Sequence, residues 1–346
     1  MEMKARSTAR QSDAIDGVHV KQAVTALPPG TVLDEPLGSD GRDPYPLPEQ
    51  RDAFRAWFER EGYVLIRRAI PPRLCQLGTE AFRREALHDR FSFFERHASG
   101  KFERHVYSEG GFMKYPIMNL QDLPMKKYPG FRRAGLNILT HPTIQRALIA
   151  LTGEPGRCIH TMYFDGNQTT WAHRDGHYID SGHDGQMIGV WVAAEDIHPD
   201  AGRFFILPQS HRMKVPGEEA DPNSPEYKAR MAAFVREGPL HCLAPALRQG
   251  DLLMWNSKVI HGSLPTVDER HSRRSFTAHY VPLSHPYKWN VRAGKSVKSM
   301  KFNRVEVILH ADDDTLAKRI RNQVRSDWPH FYGAARGLWK TVWPGA

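Results

Sequence analysis

From residue 158 onward, the chain is a succession of short apolar segments separated by turn residues. Their alternating pattern is typical of β-strands, and most end at Gly, Pro, Asn or Asp. The eight segments are CIHTMYFDG, TTWAHRDG, MIGVWVAAED, RFFILPQSH, PLHCLAP, DLLMWN, KVIHGS and RRSFTAHYV. Eight strands of this length, preceded by helices, predict a mainly β fold with flanking helices and a double-stranded β-helix core, the cupin-like jelly roll.

The region before these strands has the period of helices. Apolar residues recur at helical spacing, and proline and glycine stand where helices begin and end. The predicted elements are a helix from Pro48 to Gly62, a strand YVLIRRAI, a helix beginning at Pro71, and a helix between Pro142 and Gly153.

Three parts are predicted along the chain: a polar N-terminal arm at 1–46, a domain at 47–286 with its β core at about 157–284, and a C-terminal extension at 287–346. The extension holds 12 Lys/Arg against 5 Asp/Glu, which is most of the net charge of +9. Alternating Val305, Val307 and Leu309 predict a strand within it. Its many aromatic residues are expected to pack on the domain, with a membrane surface or a second subunit as the alternative.

Composition places the chain among globular proteins, with 40% hydrophobic and 25% charged residues. No uncharged apolar stretch reaches the roughly 18 residues of a transmembrane helix, and the N-terminus lacks the apolar region of a secretion signal. The three cysteines show no CxxC spacing, which argues against a disulfide framework or a thiolate zinc site. We therefore expect a cytoplasmic protein.

A His-x-Asp motif, His173 and Asp175, carries the chemistry. A second histidine, His261, follows 88 residues after His173, and Arg274 lies 13 residues further on. Two imidazoles and one carboxylate form the facial triad that holds Fe(II) and leaves three coordination positions open. An arginine at this offset can take the distal carboxylate of a 2-oxo acid. Arg273 is the alternative, but strand alternation with Phe276 and Ala278 facing inward favours Arg274.

Several motifs resemble the phytanoyl-CoA dioxygenase family of Fe(II)/2-oxoglutarate-dependent oxygenases. They are HTM at 160–162, HRD at 173–175, Trp191 in GVWVAAED, LPQSH at 207–211, HGS at 261–263, Arg274 and the helix-strand start FEREGYVLIRRAIPP. The resemblance spans roughly residues 48–284 and leaves the arm and the extension unexplained.

This resemblance implies a site and a reaction. Iron would bind to His173, Asp175 and His261, and the C5 carboxylate of 2-oxoglutarate would pair with Arg274, near the Ser263 hydroxyl. It further implies that Met162 and Trp191 wall the cosubstrate and that Asn119 reaches it. Related halogenases have a small residue where this chain has Asp175. Hydroxylation or a related oxidation by O2 is therefore implied, with release of succinate and CO2.

The substrate implied is a small molecule, and its identity is open among acyl-CoA thioesters, amino acids and natural-product intermediates. The residues proposed to line its pocket are His177, Tyr178, Tyr163, Trp171, Lys114 and Tyr115. A pI of about 9.4 is explained by a solvated basic tail, with attraction of an anionic substrate or partner as the alternative. It also motivates the alternative of a nucleic-acid oxygenase, but the basic extension lacks a nucleic-acid motif and is interrupted by Asp312–Asp314. A non-enzymatic cupin-like binding protein is the remaining alternative.

Overall fold

The computed structural model of the protein describes residues 45–89, 105–215, 219–287 and 298–310. It also describes the backbone of three short strands, at 32–34, 94–96 and 102–104, and a few single positions between 320 and 335. The predictions for the rest of the N-terminal arm, and for the aromatic residues after position 335, lie outside the described residues.

The described helices lie before the β core, except for one that is inserted within it. They are α1 (Arg51–Glu61), α2 (Pro72–Glu85), α3 (Pro129–Leu139), α4 (Pro142–Thr152) and α5 (Pro225–Glu237). None of these helices is long and apolar enough to cross a membrane.

The described strands follow in chain order as β1 (Val32–Asp34), β2 (Tyr63–Ile66), β3 (Phe94–Arg96), β4 (Phe102–Arg104), β5 (Ile117–Met118), β6 (Gly156–Phe164), β7 (Ile188–Ala193), β8 (Phe204–Ile206), β9 (Leu243–Pro245), β10 (Leu252–Asn256), β11 (His261–Ser263), β12 (Ser275–Pro282), β13 (Ser299–Phe302) and β14 (Val305–Ile308).

Two sheets form the core, and this confirms the predicted jelly roll. The major sheet has the order β13-β14-β6-β12-β7-β10-β2, with β5 also paired to β6. The minor sheet has the order β1-β9-β8-β11, so a short piece of the N-terminal arm adds a strand to the domain. Seven of the eight predicted segments contain a strand. The exception, TTWAHRDG, contributes one bridge at His173 and then a 3-10 turn over Asp175–His177.

The predicted helix boundaries follow from proline and glycine. Gly62 ends α1 in a left-handed conformation with φ of +79°, and Gly153 ends α4 with φ of +86°. Glycine takes this conformation without the steric cost that a Cβ brings. At the other end of α4, the ring of His141 accepts a hydrogen bond from the Thr143 N–H at 3.3 Å. The sequence thus marked both ends of α4.

Helices α2 and α3 cover the outer face of the major sheet. Phe82 of α2 packs on Tyr163 of β6, with ring centroids 4.6 Å apart. Phe131 of α3 lies 5.1 Å from the same tyrosine, and Tyr163 lies 4.8 Å from Phe276 of β12. This aromatic cluster belongs to the main hydrophobic core, and it leaves the opposite face of the sheet free for the cavity described below.

The first part of the C-terminal extension belongs to the major sheet. Strands β13 and β14 form an antiparallel hairpin, and β14 pairs in parallel with β6 through Val307 and Cys158. Val305 and Val307 are buried in the main core, which confirms the predicted strand. Further along, Trp328 and Phe331 are exposed, at 63% and 66% of their surface. Docking of that distal part stays a prediction.

Candidate metal centre

The backbone places the two triad histidines side by side. His173 and His261 lie opposite each other on antiparallel segments and exchange both backbone hydrogen bonds, at 2.9 and 3.0 Å. Side chains of such a pair project from the same face, and the two ring centroids are 4.4 Å apart. Asp175 is two residues beyond His173, at the start of the 3-10 turn. The structure therefore brings together the three ligands predicted from the sequence.

Each histidine ring is held by the backbone in the orientation that a metal ligand needs. The Nδ1 of His173 lies 2.8 Å from the carbonyl oxygen of Trp171, and the Nδ1 of His261 lies 3.0 Å from that of Val259. A carbonyl only accepts, so each Nδ1 carries the proton and each Nε2 keeps its lone pair. Both Nε2 atoms face Oδ1 of Asp175, at 3.4 and 3.5 Å. This donor set fits Fe(II).

The electrostatics of the site keep Asp175 ionised and His261 neutral. Burial alone would raise the pKa of Asp175, but the neighbouring imidazoles of His261 and His279 outweigh it. They hold the pKa of Asp175 well below its usual value. Burial lowers the pKa of His261. A metal ion requires both of these protonation states in its ligands.

The second oxygen of Asp175 is held by two donors from the major sheet. The indole Nε1 of Trp255 donates to Oδ2 at 2.8 Å, and the Nε2 of His279 lies 3.1 Å from the same oxygen. Both side chains are almost fully buried. The carboxylate is therefore fixed on both sides, with Oδ1 towards the histidines and Oδ2 towards the sheet.

A cavity of about 240 Å³ opens beside the triad. Among the residues predicted to be near the cosubstrate or substrate, Met162, Trp191, Ser263 and Trp171 line it. Other described residues in its wall are Pro116, Met118, Phe164, Gln168, Thr169, Thr170, Phe204, Trp255, Gly262, Arg273, Thr277 and His279. Met162, Thr277 and Trp191 are register partners on β6, β12 and β7, so they form one row across the sheet.

Arg273, and not Arg274, faces this cavity, so the strand facing assumed from the sequence is wrong. Arg273 is only 2% exposed, its Nε has no hydrogen-bond partner, and burial lowers its pKa to about 10. Its Nη1 makes one long contact of 3.4 Å with the carbonyl of Gly202. Arg274 instead forms ion pairs with Asp165 and Glu195, both at 2.9 Å.

The error concerning the arginine has a physical cause. Phe276 was assumed to face the cavity, but it packs in the aromatic cluster under the helices, with its ring centroid 6.5 Å from that of Phe131. Side chains of a strand alternate between its faces. Because Phe276 faces the helices, Arg274 lies on that side, and Arg273 and Thr277 lie on the cavity side.

Two other predicted residues also lie away from the cavity. Tyr163 is part of the aromatic cluster on the outer face of the sheet, where Phe82 and Phe131 surround it. Asn119 is outside the cavity lining, and its side-chain oxygen lies 3.4 Å from the amide nitrogen of Gln121. The structure thus places neither Asn119, predicted to reach the cosubstrate, nor Tyr163, predicted to line the substrate pocket, in the wall of the cavity.

The remaining substrate candidates make contacts of other kinds. His177 is hydrogen-bonded to the hydroxyl of Tyr227, and the Tyr178 hydroxyl donates to the carbonyl of Pro222 at 2.9 Å. Lys114 pairs with Glu269 at 2.6 Å, and Tyr115 is partly exposed. None of these four is among the described residues that line the cavity, and of the six candidates only Trp171 is.

A second group of potential metal ligands, His198, Asp200 and His271, lies on the surface. The rings of His198 and His271 stack face to face, with centroids 3.6 Å apart and planes 9° from parallel. A ring nitrogen binds a metal in the plane of its ring, and nearly parallel planes do not meet at one ion. This group is therefore not arranged as a metal site, in contrast to the triad.

Sequence reasoning missed Thr277, His279 and Trp255. The sequence does contain a pattern that indicates Thr277 and His279. Every second position of this segment is polar, at Arg273, Ser275, Thr277 and His279. That alternation points to a polar, inward face. Trp255 has no such signal, since its contact with Asp175 joins residues that are 80 positions apart.

The fold and the triad together define a class of protein, the jelly-roll proteins with a two-histidine, one-carboxylate metal site. The family model of phytanoyl-CoA dioxygenase matches residues 58–275, which is more than half of the chain. The chain belongs to the phytanoyl-CoA dioxygenase family.

Individual relatives are more distant. Phytanoyl-CoA dioxygenase domain-containing protein 1 of Rattus norvegicus and that of Mus musculus are each 24% identical over 208 residues, which cover 56% of this chain and 66% of the relative. Among solved structures, the non-heme α-ketoglutarate-dependent epimerase SnoN of nogalamycin biosynthesis aligns with a TM-score of 0.51 and 17% identity. Its complex with Fe3+, α-ketoglutarate and nogalamycin RO gives 0.52 and 19%. Both cover 77% of this chain and 97% of the other, and they show the same fold.

Proposed function

We propose that this protein is an Fe(II)- and 2-oxoglutarate-dependent dioxygenase that oxidises an unactivated C–H bond of a small molecule. The proposal rests on one observation: a metal-binding triad and a buried cation line the same cavity. The triad consists of the converging Nε2, Nε2 and Oδ1 atoms of His173, His261 and Asp175. The cation is the buried guanidinium of Arg273. A dicarboxylate that chelates a metal at one end needs a cation at the other.

Arg273 is suited to the distal carboxylate of 2-oxoglutarate. No carboxylate lies within ion-pair distance of it among the described residues, and its Nε is an unused donor. A buried cation without an anionic partner is costly, and an incoming anion reduces that cost. The Thr277 hydroxyl, which is also buried in the wall without a partner, supplies a further donor.

The other groups of the wall position the cosubstrate and exclude water. The Ser263 oxygen accepts a hydrogen bond from the Thr170 N–H at 2.7 Å, so its own proton remains available to an anion. Trp191, Phe204 and Trp255 form an aromatic wall around the triad and limit access of water to it. Bound iron and 2-oxoglutarate supply the O2-dependent oxidising chemistry, with succinate and CO2 as the coproducts.

The rest of the wall supports a substrate whose reacting part is apolar and uncharged. Pro116, Met118 and Trp171 contribute apolar surface, and Gln168 and Thr169 contribute uncharged polar groups. Arg273 is the one cation among the described lining residues, and the cosubstrate takes it in this proposal. Lys114, which the sequence predicts to line the substrate pocket, forms an ion pair with Glu269. A negative group on the substrate would therefore lie outside this cavity.

The test is an anaerobic titration with Fe(II) and 2-oxoglutarate, followed by the weak visible charge-transfer band of their complex. Wild type is expected to form the band, and His173→Ala, Asp175→Ala and His261→Ala to lose it, because two ligands hold the metal poorly. His198→Ala is the matched control, since it removes a histidine from the surface group, and it should keep the band. No band in wild type, or a full band in a triad variant, contradicts the proposal. A metabolite screen for succinate release then identifies the substrate.

A further inference from the structure

One row of residues crosses the cavity face of the major sheet beneath Asp175. His279 of β12 is the register partner of Gly189 of β7, and Gly189 is the register partner of Trp255 of β10. Directly opposite residues in a sheet share a face, so the row presents an imidazole, a gap and an indole to the cavity. Gly189 leaves the gap because it has no side chain.

The gap allows the indole of Trp255 to lie over the middle strand. A Cβ on Gly189 would stand 2.2 Å from Cε2 and 2.6 Å from Nε1 of Trp255, which no side chain could tolerate. The indole therefore approaches the imidazole of His279, with ring centroids 6.1 Å apart and planes at 88°. The N–H groups of the two rings meet at a single atom, Oδ2 of Asp175.

Two donors on one oxygen determine what that oxygen can still do. A carboxylate oxygen offers about two lone-pair directions, and Trp255 and His279 take both at Oδ2, at 2.8 and 3.1 Å. Oδ1, in contrast, faces the two free Nε2 atoms of the triad. The geometry leaves only Oδ1 available to a metal ion.

We propose that Trp255 and His279 are positioning residues that hold Asp175 as a one-oxygen ligand and thereby keep a coordination position open for substrate chemistry. The inference rests on the proposed function. With one oxygen bound, a six-coordinate ion keeps three positions, two for 2-oxoglutarate and one for O2. If both oxygens of Asp175 turned to the metal, only two positions would remain for three donor atoms.

The orientation of His279 is supported by a second imidazole on β6. Nδ1 of His160 lies 3.4 Å from Nδ1 of His279, and the two residues are register partners. Because Oδ2 of Asp175 only accepts, the His279 Nε2 carries a proton. In the neutral ring, its Nδ1 then accepts from the Nδ1–H of His160, a tautomer assigned from these partners.

The test uses Co(II) as a redox-stable stand-in for Fe(II) and measures two affinities: that of the protein for Co(II), and that of the Co(II)-loaded protein for 2-oxoglutarate. Trp255→Phe and His279→Leu each remove one donor to Oδ2. We expect the 2-oxoglutarate dissociation constant to rise about 10- to 100-fold. The affinity for Co(II) should change much less. Once Oδ2 of Asp175 has lost a donor, it can bind the metal as a second carboxylate oxygen, and this offsets the poorer positioning of the side chain.

Two further variants separate positioning from general damage. His279→Gln keeps an N–H donor on a side chain of similar reach, and it should recover part of the 2-oxoglutarate affinity. Trp57→Phe is the matched control, because Trp57 packs on Tyr45 at 5.6 Å, its Nε1 has no partner, and it is not among the lining residues. That variant should bind both ligands as wild type does.

The possible results differ in what they overturn. If wild-type Co(II) protein does not bind 2-oxoglutarate, the proposed function itself is wrong. If wild type binds it and both donor variants bind it equally well, the function stands and the positioning role is wrong. A loss of Co(II) affinity as large as the loss of 2-oxoglutarate affinity also overturns the inference, because the two residues would then support only the metal.

Discussion

The two faces of β12 are equally buried but differ in chemistry. All eight residues of the strand are buried. Phe276 and Tyr280 face the helices, where Phe276 packs on Tyr163 and the Tyr280 hydroxyl bonds to the carbonyl of Leu139. Thr277 and His279 face the cavity. Burial therefore does not distinguish a structural side chain from a functional one on this strand. The distinction is what the polar atoms contact. On the cavity side, the Thr277 hydroxyl has no partner among the described residues and His279 contacts the triad carboxylate, whereas the Tyr280 hydroxyl bonds to a helix carbonyl.

The largest expected effect on the helix side comes from removing the C-terminal hairpin. Truncation after Pro286 exposes the edge of β6 and removes four buried hydrophobic side chains among the described residues, Tyr287, Val305, Val307 and Ile308. At about 1.5–3 kcal/mol for each, we expect a loss on the order of 6–12 kcal/mol, measured by urea or thermal unfolding, and with it a loss of turnover. Truncation after His310 keeps the hairpin and is the control. If the protein truncated after Pro286 were as stable as wild type, the hairpin would be dispensable.

A smaller change on the same side is Phe276→Ala. It opens a cavity in the aromatic cluster with Tyr163 and Phe131 and should lower the free energy of unfolding by about 3–5 kcal/mol. The folded variant should still bind 2-oxoglutarate, because the substitution lies on the face away from the cavity. A variant of normal stability with impaired 2-oxoglutarate binding would reverse the assignment of the two faces.

On the cavity side, Arg273→Ala should weaken 2-oxoglutarate binding by about 2–4 kcal/mol, because the anion loses its buried partner. Isothermal titration of the metal-loaded protein measures it. Arg274→Ala is the neighbouring control. It leaves Asp165 and Glu195 without their shared cation, so it should lower stability and not the affinity of the folded protein for 2-oxoglutarate. The opposite ranking of the two arginines would restore the facing expected from the sequence.

The smallest expected effect is a pH dependence from His160. Burial lowers its pKa from 6.5 to about 3, so the unfolded chain binds more protons than the folded one between these values. Stability should therefore fall as pH drops below 6.5, with a slope less than the limiting value of about 1.4 kcal/mol per pH unit, since the side chain retains some solvent contact. His160→Gln should flatten the profile measured by thermal unfolding from pH 7 to pH 5. An equally steep profile would assign the acid sensitivity to other groups.

The sequence was sufficient for the jelly roll and for the pair of His173 and Asp175, because both depend on local patterns. Strand periodicity and a spacing of two residues along an extended chain are visible without the fold. His261, 88 residues further on, was predicted from the order of the motifs, HGS followed by an arginine strand. The sequence predicts the wrong arginine because an apolar residue such as Phe276 is expected to face inward. On β12 the apolar side chains turn to the helices and the polar ones to the cavity. Trp255 could not be found at all, because its position under Asp175 depends on the register between β7 and β10.

The paired backbone hydrogen bonds of His173 and His261 have an evolutionary consequence. The span between these two ligands is set by one rung of peptide hydrogen bonds and not by the 87 residues between them. Those residues include α5, which enters the chain between β8 and β9 on the surface of the domain. Length changes in the connections of that stretch would leave this rung, and with it the spacing of the two histidines, unchanged, whereas changes within β7 or β10 would move Trp191 or Trp255 in the cavity wall.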